Sequence, residues 1–191
     1  MPEGVTVSGD LIDAGDAAGG AVNGCHQWDN FTALFGLRGG DGLLKFKVYE
    51  GRGNHDGGNT TAPLPKDCAS VPSREVAARN SLRAADPAFS IDAVSTPTGL
   101  HYSWTWNLTA NCRLHFVHLN LFPGHACGSP ENPGREGKGP GFSCGGEGWM
   151  GPEDSLGFLQ KDLAAHAAQP GTWVVTIQHY GYDGWSNVRV F

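Results

Sequence analysis

The alternation of apolar and polar positions divides the chain into elements before any single residue draws attention. Val5 and Val7 alternate with Thr6 and Ser8 and run into Gly9-Asp10, which predicts a strand over 5–8 closed by a turn. Trp28, Phe31, Leu34 and Phe35 recur at helical spacing, so 25–37 reads as an amphipathic helix stopped by Gly39-Gly40. A strand is expected over 43–49, a Pro-punctuated loop over 60–71, and a helix over 73–85 broken by Pro87. Three further strands, 89–94, 100–108 and 112–121, have short connections and should pair antiparallel. Asp154 can cap a helix that carries Leu156, Leu159, Leu163 and Ala167 on one face and ends near Gln169-Pro170-Gly171. The run 173–177 is almost continuously apolar, the pattern of a strand buried on both faces. This order of strands and helices predicts one layered α/β domain with a mixed sheet over 1–191, without internal repeats.

Composition narrows the setting. The chain has 191 residues, a formal charge of -6 and 39% hydrophobic residues, enough for one domain with a real core. A nucleic-acid or acidic-membrane partner needs clustered Lys and Arg, which this chain lacks, and no apolar run is long enough to span a membrane. Five cysteines (Cys25, Cys68, Cys112, Cys127, Cys144) and Asn-x-Thr sequons at Asn30, Asn59 and Asn107 suit an exported, oxidising environment. No secretory signal is evident at the start, so an export signal is expected upstream of it. The Gly/Pro-rich stretch 124–151, which contains Cys127 and Cys144, reads as an insertion loop, and a disulfide closing it is the simplest restraint on so free a segment, although the sequence leaves the pairing open.

The candidate chemistry sits where strands end. Asp10 follows the first strand, Asn54 and His55 follow the second, and His179 follows the last. Ligands of open α/β sheets bind outside the carboxyl ends of strands, so these residues can converge from distant parts of the chain. A carboxylate, a carboxamide and an imidazole form a mixed oxygen and nitrogen set suited to Mn, Zn or Fe.

"GDLID" (9–13), "GNHD" (53–56) and "IQHYGYD" (177–183) resemble three motifs of the calcineurin-like metallophosphoesterases. "GLHYSWTWN", "HFVHLNLFPG" and "DSLGFLQKDL" extend the resemblance, toward the exported branch of that superfamily, along nearly the whole chain. A chance "GNHD" in a chain of this length is on the order of one in a thousand. The resemblance implies an α/β/β/α sandwich hydrolysing a phosphate ester at two metal ions (Mn, Zn or Fe) through a metal-bound hydroxide. It also implies roles for individual residues. Asp10 would bridge the metals, Asn54 and His179 would bind the second, and His55 would protonate the leaving group. Asp13 and Asp56 would stand behind them, with Asp56 orienting the His55 ring. Two motifs of the superfamily, Asp-x-His before "GDxxD" and Gly-His-x-His after the "QHYG" histidine, do not occur here. The chain is therefore expected to be an incomplete and nearly inactive portion of such an enzyme. A secreted, non-catalytic binding module built on the same fold is the alternative.

The remaining histidines read as structural. His101, His115 and His118 lie in strands and receive no metal role, and His166 is explained by the dipole of its helix. His26 and His125 adjoin cysteines, but paired C-x-x-C spacing is absent, which argues against a structural zinc. Trp104 and Trp106 share a strand face and are expected in the core.

Overall fold

The computed structural model describes residues 4–12, 24–53, 56, 71–126, 129–130, 153–166 and 169–179. Asp13, Asn54, His55, Asn59, Cys68, Cys127 and Cys144, together with most of the 124–151 insertion, lie outside them, as does the expected 60–71 loop up to residue 70.

Among the described residues the chain is an α/β protein. Its elements are β1 (Gly4–Val7), α1 (Gly24–Leu34), β2 (Lys47–Glu50), α2 (Val71–Ala85), β3 (Ile91–Val94), β4 (Tyr102–Thr109), β5 (Cys112–His118), α3 (Ser155–His166) and β6 (Thr172–Ile177). β1 and β2 form a parallel pair, and β3-β4-β5-β6 form a mixed sheet, antiparallel as far as β5 and parallel between β5 and β6. No described helix is long and apolar enough to cross a membrane.

The strand alternation of β4 and β5 sorts chemistry onto the two faces of this sheet. Tyr102, Trp104 and Trp106 lie opposite His118, Phe116 and Leu114, and this face meets β2 through Tyr49, whose ring stacks on Trp104 with centroids 4.3 Å apart. Leu37, Tyr49, Phe89, Tyr102, Trp104 and Phe116 form one buried cluster. Trp104 is thus core, as its strand position predicts. The alternate residues Ser103, Thr105 and His115 face α3, and they are polar.

α1 and α2 cover the parallel pair. Trp28 and Phe31 of α1 and Val76 of α2 pack on Leu11, Ile12 and Leu100. α2 also drives two arginines inward: Arg83 donates to the Val48 carbonyl and pairs with Glu50, and Arg79 Nε lies 2.6 Å from Glu50 Oε1. Burial alone would raise the Glu50 carboxyl, but the two guanidinium groups outweigh it and hold it at about 2.

Several boundaries differ from the periodicity, among them β5, which ends at His118 and not at 121, and three of the others have a visible cause. α1 ends at Leu34, because the Asp41 carboxylate takes the amides of Leu37 and Arg38 and turns the chain there. The strand expected from 43 starts only at Lys47: Leu43 and Leu44 donate their amides to the Ala33 and Leu34 carbonyls, satisfying the end of α1 instead of a sheet. Phe89 belongs to a short 3-10 turn capped by Asp86 rather than to β3. The larger correction is β6. Its apolar run was expected to be buried on both faces, yet among the described residues it is the outermost strand of its sheet, and Trp173 is 68% exposed with Val174 and Val175 beside it.

Candidate functional site at the strand ends

β1 and β2 run parallel, as do β5 and β6, and backbone bonds tie their carboxyl ends together. Gly51 N donates to Val7 O at 2.9 Å, Leu119 N to Ile177 O at 2.8 Å, and His179 N to Asn120 O at 2.6 Å. His118 stitches the sheets by donating from Nε2 to Val7 O at 3.2 Å, while its Nδ1 accepts the Asn120 amide. Those two bonds require the neutral ring. Burial drives the same way and lowers the His118 pKa to about 4.

Asn120 is the knot of this edge. Its Oδ1 accepts from Arg52 N at 2.7 Å, and its Nδ2 donates to Leu100 O and to His101 Nδ1, each at 2.9 Å. His101 in turn donates from Nε2 to Glu153 O, and Arg52 pairs with Glu153 at 3.0 Å. The residue sits at φ 58, a left-handed conformation that Asn tolerates better than most. "HLN" reads in sequence as the end of a strand, and only the observation that Asn is poor strand material hinted at a positional reason.

Asp10 and His179 meet on this edge. His179 Nε2 lies 3.3 Å from Asp10 Oδ2, and both side chains remain partly open to solvent. The Asp10 loop interlocks with the loop of Gly53 without side chains. A Cβ on Gly53 would lie 2.2 Å from Asp10 N and from its Oδ1, and one on Gly9 would lie 2.4 Å from Gly53 N. Gly9 at φ 126 and Asp10 at φ 53 both use conformations outside the ordinary L-residue range.

Asp56 fixes this crossing from below. Fully buried, it accepts from Ile12 N at 3.0 Å and from Gly53 N at 2.6 Å, so a single carboxylate spans the "GDLID" and "GNHD" segments. Burial raises its pKa, partly opposed by these amides, and the nearby Asp10 charge adds to the rise. These backbone bonds are a role the motif did not assign to it. Asn54, His55 and Asp13, the other residues singled out in the sequence, lie outside the described residues.

The Asp10 and His179 donors suit a metal. Ligand bonds of about 2.0–2.2 Å meeting at ordinary coordination angles place two donors about 3–3.5 Å apart, which is the spacing observed. No protein-family model, no curated protein and no solved structure matches the chain.

A second polar cluster lies beneath α3. His115 is fully buried with Nε2 2.6 Å from Asp162 Oδ2 and Nδ1 3.3 Å from Asp92 Oδ2, and the His166 ring stacks on it. Burial would depress this imidazole, but the flanking carboxylates prevail and raise it to about 9. Reading His115 and His166 one at a time missed their convergence. The available signal was Asp162 and His166, four apart on one helix face and opposite the inward polar positions of β4 and β5.

Proposed function

We propose that the chain carries the metal-binding edge of a phosphoesterase, in an exported α/β/β/α protein, acting on a phosphate ester. The observation that supports this most directly is the 3.3 Å approach of Asp10 and His179 at the shared carboxyl ends of β1, β2, β5 and β6. Asp10, His179 and, by its motif, Asn54 would hold divalent cations such as Mn, Zn or Fe. When bound, such ions polarise a phosphoryl oxygen and acidify water.

The protein's own contribution is placement and proton supply. Asp56 and the paired glycines hold the Asp10 backbone against the loop that leads to Asn54 and His55. Asn120 fixes the height of His179 by taking its amide. His55 is assigned the proton that the departing alkoxide requires, because an imidazole titrates near working pH.

The test is equilibrium dialysis against Mn2+ with elemental analysis, alongside hydrolysis of p-nitrophenyl phosphate. Asp10→Ala and His179→Ala should each release the ion and remove any Mn2+-stimulated turnover while the circular dichroism spectrum stays unchanged. Unaltered Mn2+ retention in both variants would overturn the proposal.

A further inference from the structure

We propose that Asp92, His115 and His166 form a separate site for a divalent transition metal of zinc type, beneath α3 and away from the Asp10 edge. One ligand atom from each of the three lies within 4.8 Å of the others, and they come from β3, β5 and the last residue of α3. Two imidazoles and one carboxylate are a donor set that zinc accepts, with a remaining position for water.

The surroundings are those of a ligand and not of an ordinary core histidine. Asp162, itself buried, is held by Ser103 Oγ and accepts from His115 Nε2 at 2.6 Å. That bond fixes the ring and aims Nδ1 at Asp92 and Thr105. A carboxylate behind one imidazole nitrogen, with the other nitrogen turned to a cluster of donors, is how proteins orient metal-binding histidines.

Charge points the same way. Asp92 and Asp162 flank His115, and among the described residues no Lys or Arg pairs with either. Arg113, at the rim, is bonded to Gln169 and to the Pro170 carbonyl. A cation at His115 Nδ1 would sit against the Asp92 carboxylate, with Asp162 behind the ring, and there is room for one. A cavity of about 260 Å³ opens onto Asp92 and His166. On its wall, Thr172 Oγ1 is buried without a hydrogen-bond partner, a group that a metal-bound water would satisfy. His115 needs no movement. Rotation of the half-buried His166 ring and the exposed Asp92 side chain closes the set to the roughly 3–3.5 Å that a shared ion requires.

The experiment titrates Zn2+ against a chromophoric chelator and repeats the measurement with Co2+, whose visible bands report four-coordination. It compares wild type, His166→Ala, Asp162→Asn and the double variant Asp10→Ala/His179→Ala. Zinc should remain bound in the double variant, with tetrahedral Co2+ bands intact. It should be lost in His166→Ala, whose substitution at a helix end leaves the fold in place, as a thermal melt would verify. Asp162→Asn should weaken binding about 10–100-fold. The proposal is overturned if the double variant binds no zinc, or if His166→Ala binds it as tightly as wild type. Because the Mn2+ measurement reads Asp10 and His179, either site can fail without the other.

Discussion

The main-chain carbonyl of Asn120 accepts the amide of His179 at 2.6 Å, so a residue just beyond β5 sets the position of the histidine just beyond β6. One residue thereby couples two networks: its carboxamide bonds Arg52, Leu100 and His101, while its main-chain carbonyl holds the partly exposed His179. A knot of this kind makes site geometry and fold stability inseparable at one position.

Replacing Asn120 by Ala leaves Arg52 N, Leu100 O and His101 Nδ1 without the side chain they bond, and it places a Cβ residue at φ 58 without the carboxamide. Leu100 O keeps its bond from Asn80 Nδ2, so at about 1–3 kcal/mol for each of the other two buried groups, unfolding in urea should show a loss of about 2 kcal/mol or more. Asn120→Gly should relieve the backbone alone and recover only the smaller part of that loss. Equal stabilities for wild type and Asn120→Ala would contradict the role.

Gly53→Ala should damage the site as badly as removing its ligand does. The added methyl would sit 2.2 Å from Asp10 N, so one loop must retreat and the Asp10 carboxylate must leave His179. Mn2+ retention by this variant should fall to the level of Asp10→Ala. Retention like that of wild type would show that the two loops separate freely.

Acid should destabilise the protein in stages. His118 is neutral in the fold with a pKa of about 4 against an ordinary 6.5, so its contribution is whole above pH 6.5 and drains away as pH falls toward 4. Glu50, held at about 2 against an ordinary 4.5, adds a second loss between those values. Chemical denaturation across pH should therefore show stability falling from about pH 6.5 downward. His118→Gln should flatten the upper part of that curve and leave the lower part. A curve level down to pH 4.5 would refute the neutral His118.

The outer strand predicts a solubility effect. Trp173, Val174 and Val175 are exposed on β6, and an apolar outer strand invites pairing with another chain. Trp173→Lys should reduce light scattering during concentration or heating while changing the unfolding free energy by less than about 0.5 kcal/mol. A large loss of stability would mean that Trp173 is buried in solution.

What the sequence made legible was chemistry announced by local backbone demands. Glycines beside Asp10 and before Asn54 mark places where the chain turns tightly at a strand end, and period-two alternation placed Trp104 inside. Contacts between distant polar residues were silent. Nothing near Glu50 signals that Arg79, 29 positions on, will reach it, and nothing near His115 signals Asp162, 47 positions away. The apolar run of β6 misled because strand composition records hydrophobicity and not neighbours: an edge strand and a central strand can carry the same letters. Residues 43–46 misled for a related reason, since α1 needed amide partners and took them from the alternating run.

The two unlike faces of β4 and β5 also act as a check on alignment during folding. Sliding one strand past the other by a single position would turn His115 into the aromatic layer and Phe116 into the polar layer under α3, breaking both sets of contacts at once. Mispaired hairpins should therefore be rejected before α3 docks, and a one-residue insertion or deletion in the short turn at Ala110-Asn111 should be tolerated only when it leaves that phase intact.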